Sequence, residues 1–318
     1  NIENQELTYE KKHELNIGAE IGFLNNRINL AVDWYKRNNY DLIGIINTKG
    51  TGGQLTKLAN VASMKSHGIE FTLSTQNIKK KDFSWNTDFI FSNTKNEVTD
   101  LQSNSSVIEM ISGSGFALEG YPVRSLFSMD FRGLNESGYP TFINEDGNLT
   151  VSNINFQERI KKDHLIYEGP TDPTITGSFG NSFKYKNFLL NLFITYSFGN
   201  VIRLDPVFHN QYSDLDAMPR EFINRWTKGG DEKYTDIPVI ADKRANQQDP
   251  YLSYAYNAYN YSTARIAKGD FIRMKEISLT YNFPKKLIVR AGVSDLSLKL
   301  QATNAFLIYS DKKLNGQD

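Results

Sequence analysis

Apolar side chains in this chain recur at every second position in short runs, and the runs come in pairs. Leu15, Ile17, Ala19, Ile21 and Phe23 fall on one side of an extended backbone, with Glu14, Asn16, Gly18, Glu20 and Gly22 on the other. Successive side chains of a strand point to opposite faces, so this pattern specifies a strand with one greasy and one polar side. Asn25-Asn26, a pair suited to positive φ, follows, and Ile28, Leu30, Val32 and Trp34 resume the alternation as the return arm of a hairpin. A second hairpin runs through Ile69, Phe71 and Leu73, turns near 78–82 and returns through Phe83, Trp85, Phe89 and Phe91. A third joins Phe179, Phe183 and Tyr185 to Leu190, Leu192, Ile194, Tyr196 and Phe198 through a turn near Lys186. The fourth joins Ile277, Leu279, Tyr281 and Phe283, across Pro284, to Leu296, Leu298, Leu300, Ala302 and Phe306. No helical period of comparable clarity accompanies them, so an all-β chain is expected.

The joins are unequal. Within each hairpin they are short, whereas polar or Gly-rich segments near 47–62, 101–176 and 201–265 separate the hairpins. Eight crossings with short turns at one end and long loops at the other make the pattern of an antiparallel transmembrane β-barrel wall. The strand-like stretch 124–133 would break that parity as a ninth crossing; it is expected in a loop-borne hairpin, pairing with 139–143. Alternating strands also build soluble sandwiches. Two features favour the barrel. Tyr9, Phe23, Trp34, Tyr35, Phe83, Trp85, Tyr185, Phe198 and Tyr281 cluster near strand ends, as interfacial aromatic girdles do, and the loops are too long for a compact sandwich.

Composition bounds the function. Lys+Arg and Asp+Glu are 36 each, which gives no global field for nucleic acid. There is no cysteine, which excludes disulfides, thiolate metal sites and cysteine nucleophiles. No run approaches the ~18–20 apolar residues of a spanning helix, but strands need only ~9–11 alternating residues, so the mean hydropathy of −0.48 is compatible with a barrel. The first residues have neither a basic n-region nor an apolar h-region, so no signal peptide is read there.

Ordered matches along the chain resemble a known family. They are Thr8-Tyr9-Glu10-Lys11, Asn16-Ile17-Gly18, Phe23-Leu24-Asn25-Asn26-Arg27-Ile28, Asp33-Trp34-Tyr35, Asp41-Leu42-Ile43, Asn60-Val61-Ala62 with Gly68-Ile69-Glu70, and Phe83-Ser84-Trp85. Later come Glu119-Gly120-Tyr121-Pro122, Arg225-Trp226-Thr227 with Ile237-Pro238, the run from Phe271 to Tyr281, and Asn304-Ala305-Phe306. Together they resemble the C-terminal barrel region of SusC/RagA-like TonB-dependent transporters. The resemblance implies that residues 1–318 supply about eight strands of a barrel of roughly 22, a fragment at both ends, with the plug and the last strand outside it. It further implies the outer membrane of a Gram-negative, Bacteroidetes-like bacterium. The implied function is TonB-dependent uptake of a glycan- or peptide-type ligand. Implied partners are outer-membrane lipid, a SusD-like surface lipoprotein, and TonB acting through the N-terminal region. A passive porin and a soluble secreted β-sheet binding module remain the alternatives.

No catalytic constellation is present, and the chain is not expected to be an enzyme. His13, His67, His164 and His209 have no metal-ligand spacing. Gly50-Thr51-Gly52-Gly53-Gln54 lacks the Lys-Ser/Thr of a phosphate loop. Asp130 and Glu136 carry no mark of an acid–base pair. Asn144-Glu145-Asp146-Gly147-Asn148 has the alternate oxygens of a Ca²⁺ loop without its distal Glu, so a tight turn is the first expectation and a cation held by Asn144, Asp146 and Asn148 the second. The candidate contacts for ligand or partner are Tyr251, Tyr254, Tyr256, Tyr259 and Tyr261, whose rings supply amphipathic area at low entropic cost, with Trp226, Arg124 and Arg132. Self-packing of the loop is the competing expectation for the tyrosines.

Overall fold

The computed structural model describes residues 7–48, 53, 55–102, 105–113, 118–154, 156, 164–208, 219–240 and 243–316. In chain order its elements are β1 (Lys11–Phe23), β2 (Ile28–Asn47), β3 (Thr56–Lys79), β4 (Phe83–Leu101), α1 (Val107–Ser112), β5 (Ser125–Met129), β6 (Phe131–Leu134), β7 (Pro140–Ile143), β8 (Leu149–Thr150) and β9 (Leu165–Pro170). They continue with β10 (Ile175–Tyr185), β11 (Phe188–Phe198), β12 (Val201–Arg203), α2 (Lys243–Gln248), α3 (Leu252–Asn260), β13 (Ile266–Lys268), β14 (Phe271–Asn282), α4 (Lys285–Ile288) and β15 (Ser297–Ser310). Eight of the strands form one antiparallel sheet in the order β1-β2-β3-β4-β10-β11-β14-β15. These are the eight crossings expected from the alternation. The sheet does not close on itself, and no helix among the described residues is long and apolar enough to cross a membrane.

Register makes the two faces explicit, because residues directly opposite one another on antiparallel strands project to the same side. One rung reads Ile21, Leu30, Leu73, Phe89, Phe179, Ile194, Met274, Phe306, one residue per strand and all apolar. The adjacent rung on the other face reads Gly22, Asn29, Ser74, Asp88, Gly180, Phe193, Glu276, Thr303. The apolar rows are not buried between stacked sheets: Leu15 is 55% exposed and Leu300 64%. At the short-turn end Phe83, Tyr185, Phe188 and Tyr281 form an aromatic rung on the apolar face. Ten residues of β10 separate Tyr185 from Ile175, about 33 Å of strand and about 25 Å of thickness at a tilt of about 40°, the height of a lipid-facing band.

Polar groups on this face satisfy one another. Thr75 Oγ1 donates to Asn77 Oδ1 (2.9 Å), Asn77 Nδ2 to Thr87 Oγ1 (2.7 Å), and both Thr87 Oγ1 and Trp85 Nε1 to Asn181 Oδ1 (2.8 Å each). An unpaired donor in hydrocarbon costs several kcal/mol, so this chain of bonds lets four polar side chains sit in the wall.

Two elements depart from the sequence expectations. Half of the segment 47–62 is strand, since β2 runs to Asn47 and β3 begins at Thr56. This long hairpin continues past the apolar band, where the alternation lapses: adjacent Val61 and Ala62, on opposite faces of β3, are both buried. It bends at Asp41, whose φ of 56° accompanies a bulge between Asn39 and Leu42, and Asn60 Nδ2 ties the bend by donating to Asp41 O (2.6 Å). The stretch 124–133 divides at Asp130. Its second half, β6, pairs with β7 as expected, whereas β5 pairs with β9.

Strand register is pinned by two tyrosines that lie across glycines. Tyr35 crosses Gly68 to reach Thr94, hydroxyl to hydroxyl (2.6 Å), and Tyr196 crosses Gly177 to donate to Ile90 O (2.9 Å). A Cβ on Gly177 would collide with both Ile90 O and the Tyr196 phenol, whereas one on Gly180 would make only ordinary contacts, with Phe193 at 3.5 Å and Asp88 at 3.8 Å. Gly177→Ala should therefore cost about 1–3 kcal/mol of wall stability and Tyr196→Phe about 1 kcal/mol, while Gly180→Ala leaves it unchanged. The temperature at which heat-modifiable gel mobility of the whole barrel is lost measures all three.

Candidate functional site: the outer loop body

Two excursions leave the same end of the sheet, one between β4 and β10 and one between β11 and β14. Together they build the main hydrophobic core of the described chain. The first contributes Val107, Met110, Ile111, Phe127, Met129, Phe142 and Leu165; the second contributes Val207, Phe208, Phe222, Leu252, Ala255, Tyr256, Ala258 and Tyr259. The excursions are also hydrogen-bonded to each other, as where Met129 N donates to Tyr261 O (3.0 Å).

The tyrosine run that begins at Tyr251 is largely helical. In α3, Leu252, Ala255, Tyr256 and Tyr259 recur at i, i+3, i+4 and i+7, which places them on one helix face, and all four are buried. Tyr256 donates to Val239 O (2.5 Å) and packs on Phe208 (4.7 Å between centroids), and Tyr259 contacts Phe131 and Phe208. Burial pushes the Tyr259 phenol well above its ordinary value. Loop self-packing therefore accounts for these two rings. Tyr251 (62% exposed) and Tyr254 (46%) point the other way, stack at 6.0 Å and 20°, and continue through Tyr254 to Phe156 at 6.4 Å. This shelf is the exposed aromatic surface of the run. Tyr261 lies beneath the Arg203 guanidinium, 5.5 Å from the ring centroid.

The other candidates are engaged within the loops. The Trp226 ring covers Gly138, whose φ is +78°, and its indole N–H donates to Glu232 (3.1 Å). Arg124 forms a two-pronged pair with Asp172, and Arg132 pairs with Asp130 at 2.7 Å. Both arginines keep more than half of their side-chain surface in solvent. The Asn144 loop is a tight turn: Asn144 Oδ1 accepts from Asp146 N (3.1 Å) and Asn148 N (2.9 Å), which turns that oxygen inward. No group of three or more His, Asp or Glu side chains able to hold a metal occurs among the described residues. His13 packs edge-on against Tyr40 and His164 is buried, while His209 and most of residues 50–54 lie outside the described residues. On the polar face of the sheet, Glu20, Gly22, Asn29, Thr72 and Ser74 line a concavity of about 470 Å³.

Sequence reading missed two arginines, one partly buried and one fully buried. Arg203 Nη2 donates to Phe127 O (2.6 Å) and Ser128 Oγ (3.2 Å), and its Nη1 to Ser262 O (3.3 Å), so one side chain ties three segments. Arg265, 3% exposed, donates to Glu221 (2.6 Å) and to Asp205 O (2.7 Å). Burial lowers the Arg203 pKa to about 10, opposed by Glu168, so it stays charged at neutral pH. Burial raises the Glu168 carboxyl above its ordinary 4.5, against a hydrogen bond from Ser128 and the attraction of Arg203. Nothing in spacing marks these residues.

No family model matches the chain. The TonB-dependent receptor P3 of Formosa agariphila is 25% identical over 332 residues, covering 97% of this chain and 30% of the relative. TonB-dependent receptor SusC of Bacteroides thetaiotaomicron is 26% identical over 295 residues, covering 88% of this chain and 27% of the relative. The chain is SusC/RagA-like. It spans about a third of the length of these curated relatives. In fold, a structure of the RagAB peptide transporter superposes with a TM-score of 0.71 at 23% identity, covering 94% of this chain and 32% of that one, and the importer in its closed-closed state gives 0.72. The open eight-stranded sheet of this SusC/RagA-like chain thus has the fold of a stretch of transporter barrel wall.

Arg203→Ala should strand the Phe127 and Ser262 carbonyls and cost about 2–4 kcal/mol of loop-body stability, read as faster proteolysis of the outer loops in a barrel of unchanged gel mobility. A carboxyl with a raised folded-state pKa contributes stability that is present below the unfolded value and lost as pH rises through the folded one. Glu168→Gln should therefore abolish a decline in loop protection on raising pH from about 4.5 to neutrality, measured by the same digestion.

Proposed function

We propose that residues 1–318 form the C-terminal part of the barrel of an outer-membrane importer. The importer takes up a glycan- or peptide-type ligand in a TonB-dependent manner together with a SusD-like surface lipoprotein. The observation that carries this reading is the unbroken apolar rung across all eight strands, backed by a polar face and surmounted at one end by a packed loop body. Such a wall separates lipid from an aqueous interior, and a loop body at one end of it is the first surface an arriving ligand would meet. The likeness to TonB-dependent receptors over nearly the whole chain supports energy-coupled uptake, and the relatives point away from an enzyme.

Within this reading Tyr251 and Tyr254 are the ring surface available to an arriving sugar or peptide, with Arg124 and Arg132 the exposed charged candidates beside the loop strands. Membrane fractionation tests the wall: recovery in the outer membrane with heat-modifiable mobility is expected, and detergent-free soluble monomers would refute it. Deleting TonB tests the coupling, since uptake should cease while surface binding persists; undiminished uptake would mean a passive pore. Tyr251→Ala with Tyr254→Ala should weaken surface binding of a labelled ligand about 5- to 30-fold, corresponding to roughly 1–2 kcal/mol, at unchanged barrel assembly.

A further inference from the structure

Charge in this chain is sorted along the strand axis. The four short joins, residues 24–27, 80–82, 186–187 and 283–296, hold seven Lys or Arg and two Asp, whereas the whole chain balances 36 against 36. The remainder is therefore net acidic and this rim strongly basic. The joins are neighbours along one edge of the wall. Arg27 donates to Gln76 O and Asn77 O (3.0 Å each), Lys186 N to Asp82 O (2.8 Å), and Asn282 N to Asn187 O (2.9 Å). The rim lysines are exposed, and none has an ion-pair partner among the described residues.

The last of these joins adds apolar surface. It folds as α4 and a following turn, with Ile288 buried at 5% while Leu287 (66%) and Val289 (63%) stand out beside Lys285, Lys286 and Arg290. The patch is continuous with the aromatic rung. Phe283, next to Pro284 at the start of α4, packs edge-on against Tyr281 (4.9 Å), and the Lys186 ammonium lies 5.4 Å from the Tyr185 ring centroid. Exposed aliphatic groups flanked by cations at the end of a lipid-facing band fit a boundary between acyl chains and headgroups. Flexible point charges spread over four joins suit a fluid anionic surface better than a shaped protein pocket.

We propose that this rim docks anionic phospholipid of the leaflet at the short-turn end, with the lysines on headgroup phosphates and Leu287 and Val289 at the acyl boundary. The inference rests on the barrel reading, and the two fail differently. Without a barrel the protein leaves the membrane fraction; without lipid docking it remains a folded barrel that shows no headgroup preference.

The test uses the full-length transporter that contains this chain, purified in neutral detergent. It is offered equal amounts of dioleoyl phosphatidylglycerol and dioleoyl phosphatidylcholine, and bound lipid is read by native mass spectrometry. Phosphatidylglycerol should be retained about tenfold over phosphatidylcholine. Joint replacement Lys80→Gln, Lys81→Gln, Lys285→Gln and Lys286→Gln should bring the ratio near one, whereas Lys36→Gln with Lys95→Gln, at the opposite end of the band, should leave it unchanged. Should the fourfold variant not fold, salt substitutes for it: the wild-type preference must fall steeply between about 50 and 500 mM NaCl. Equal retention of the two lipids, a preference that survives in the folded variant or resists salt, or loss of a co-purifying protein with lipid retention intact would each overturn the proposal.

Discussion

Everything in the wall follows from the need of each main-chain amide for a partner where no water is available. A strand cannot satisfy its own amides, so each of the eight must lie against the next, and the pairing fixes which side chains share a face. Period two then divides the wall into a hydrocarbon-facing side and a water-facing side. A register slip of one residue would exchange them. That is why tyrosines lying over Gly68 and Gly177 matter beyond their single hydrogen bonds, for they fit only one alignment of neighbouring strands.

Hydrophobic burial is consequently placed where a soluble protein would not have it. The sheet keeps its aliphatic rows exposed on one face, and the packed core belongs to the two outer excursions. This changes what their aromatic residues are free to do. Tyr256, Tyr259 and Trp226 hold the body together, leaving Tyr251 and Tyr254 as the surface. Arg203 and Arg265 work in the same sense, since a buried guanidinium must find acceptors and finds them on segments distant in sequence.

The wall was legible in the sequence because its periodicity is imposed by two different solvents on the two faces. Leu15 to Phe23 and Leu190 to Phe198 alternate in this way. Beyond the apolar band the two faces no longer differ in this way, so the upper parts of β2 and β3 read as loop although they are ladder. The i, i+3, i+4, i+7 spacing of Leu252, Ala255, Tyr256 and Tyr259 was present, but in a nine-residue helix it is short enough to pass for a polar, tyrosine-rich loop. Arg203 and Arg265 were illegible for a different reason: their partners are mostly backbone carbonyls, which leave no residue-type pattern.

The division of the loop core between two excursions sets an order of events during biogenesis. The core residues come from both halves, and more than a hundred residues lie between Met129 and the helix that carries Tyr259. Closing so long a segment is entropically slow. The cap is therefore completed only once both excursions are in place and β10 and β11 are paired between them, which makes a completed cap a late mark of a correctly assembled wall.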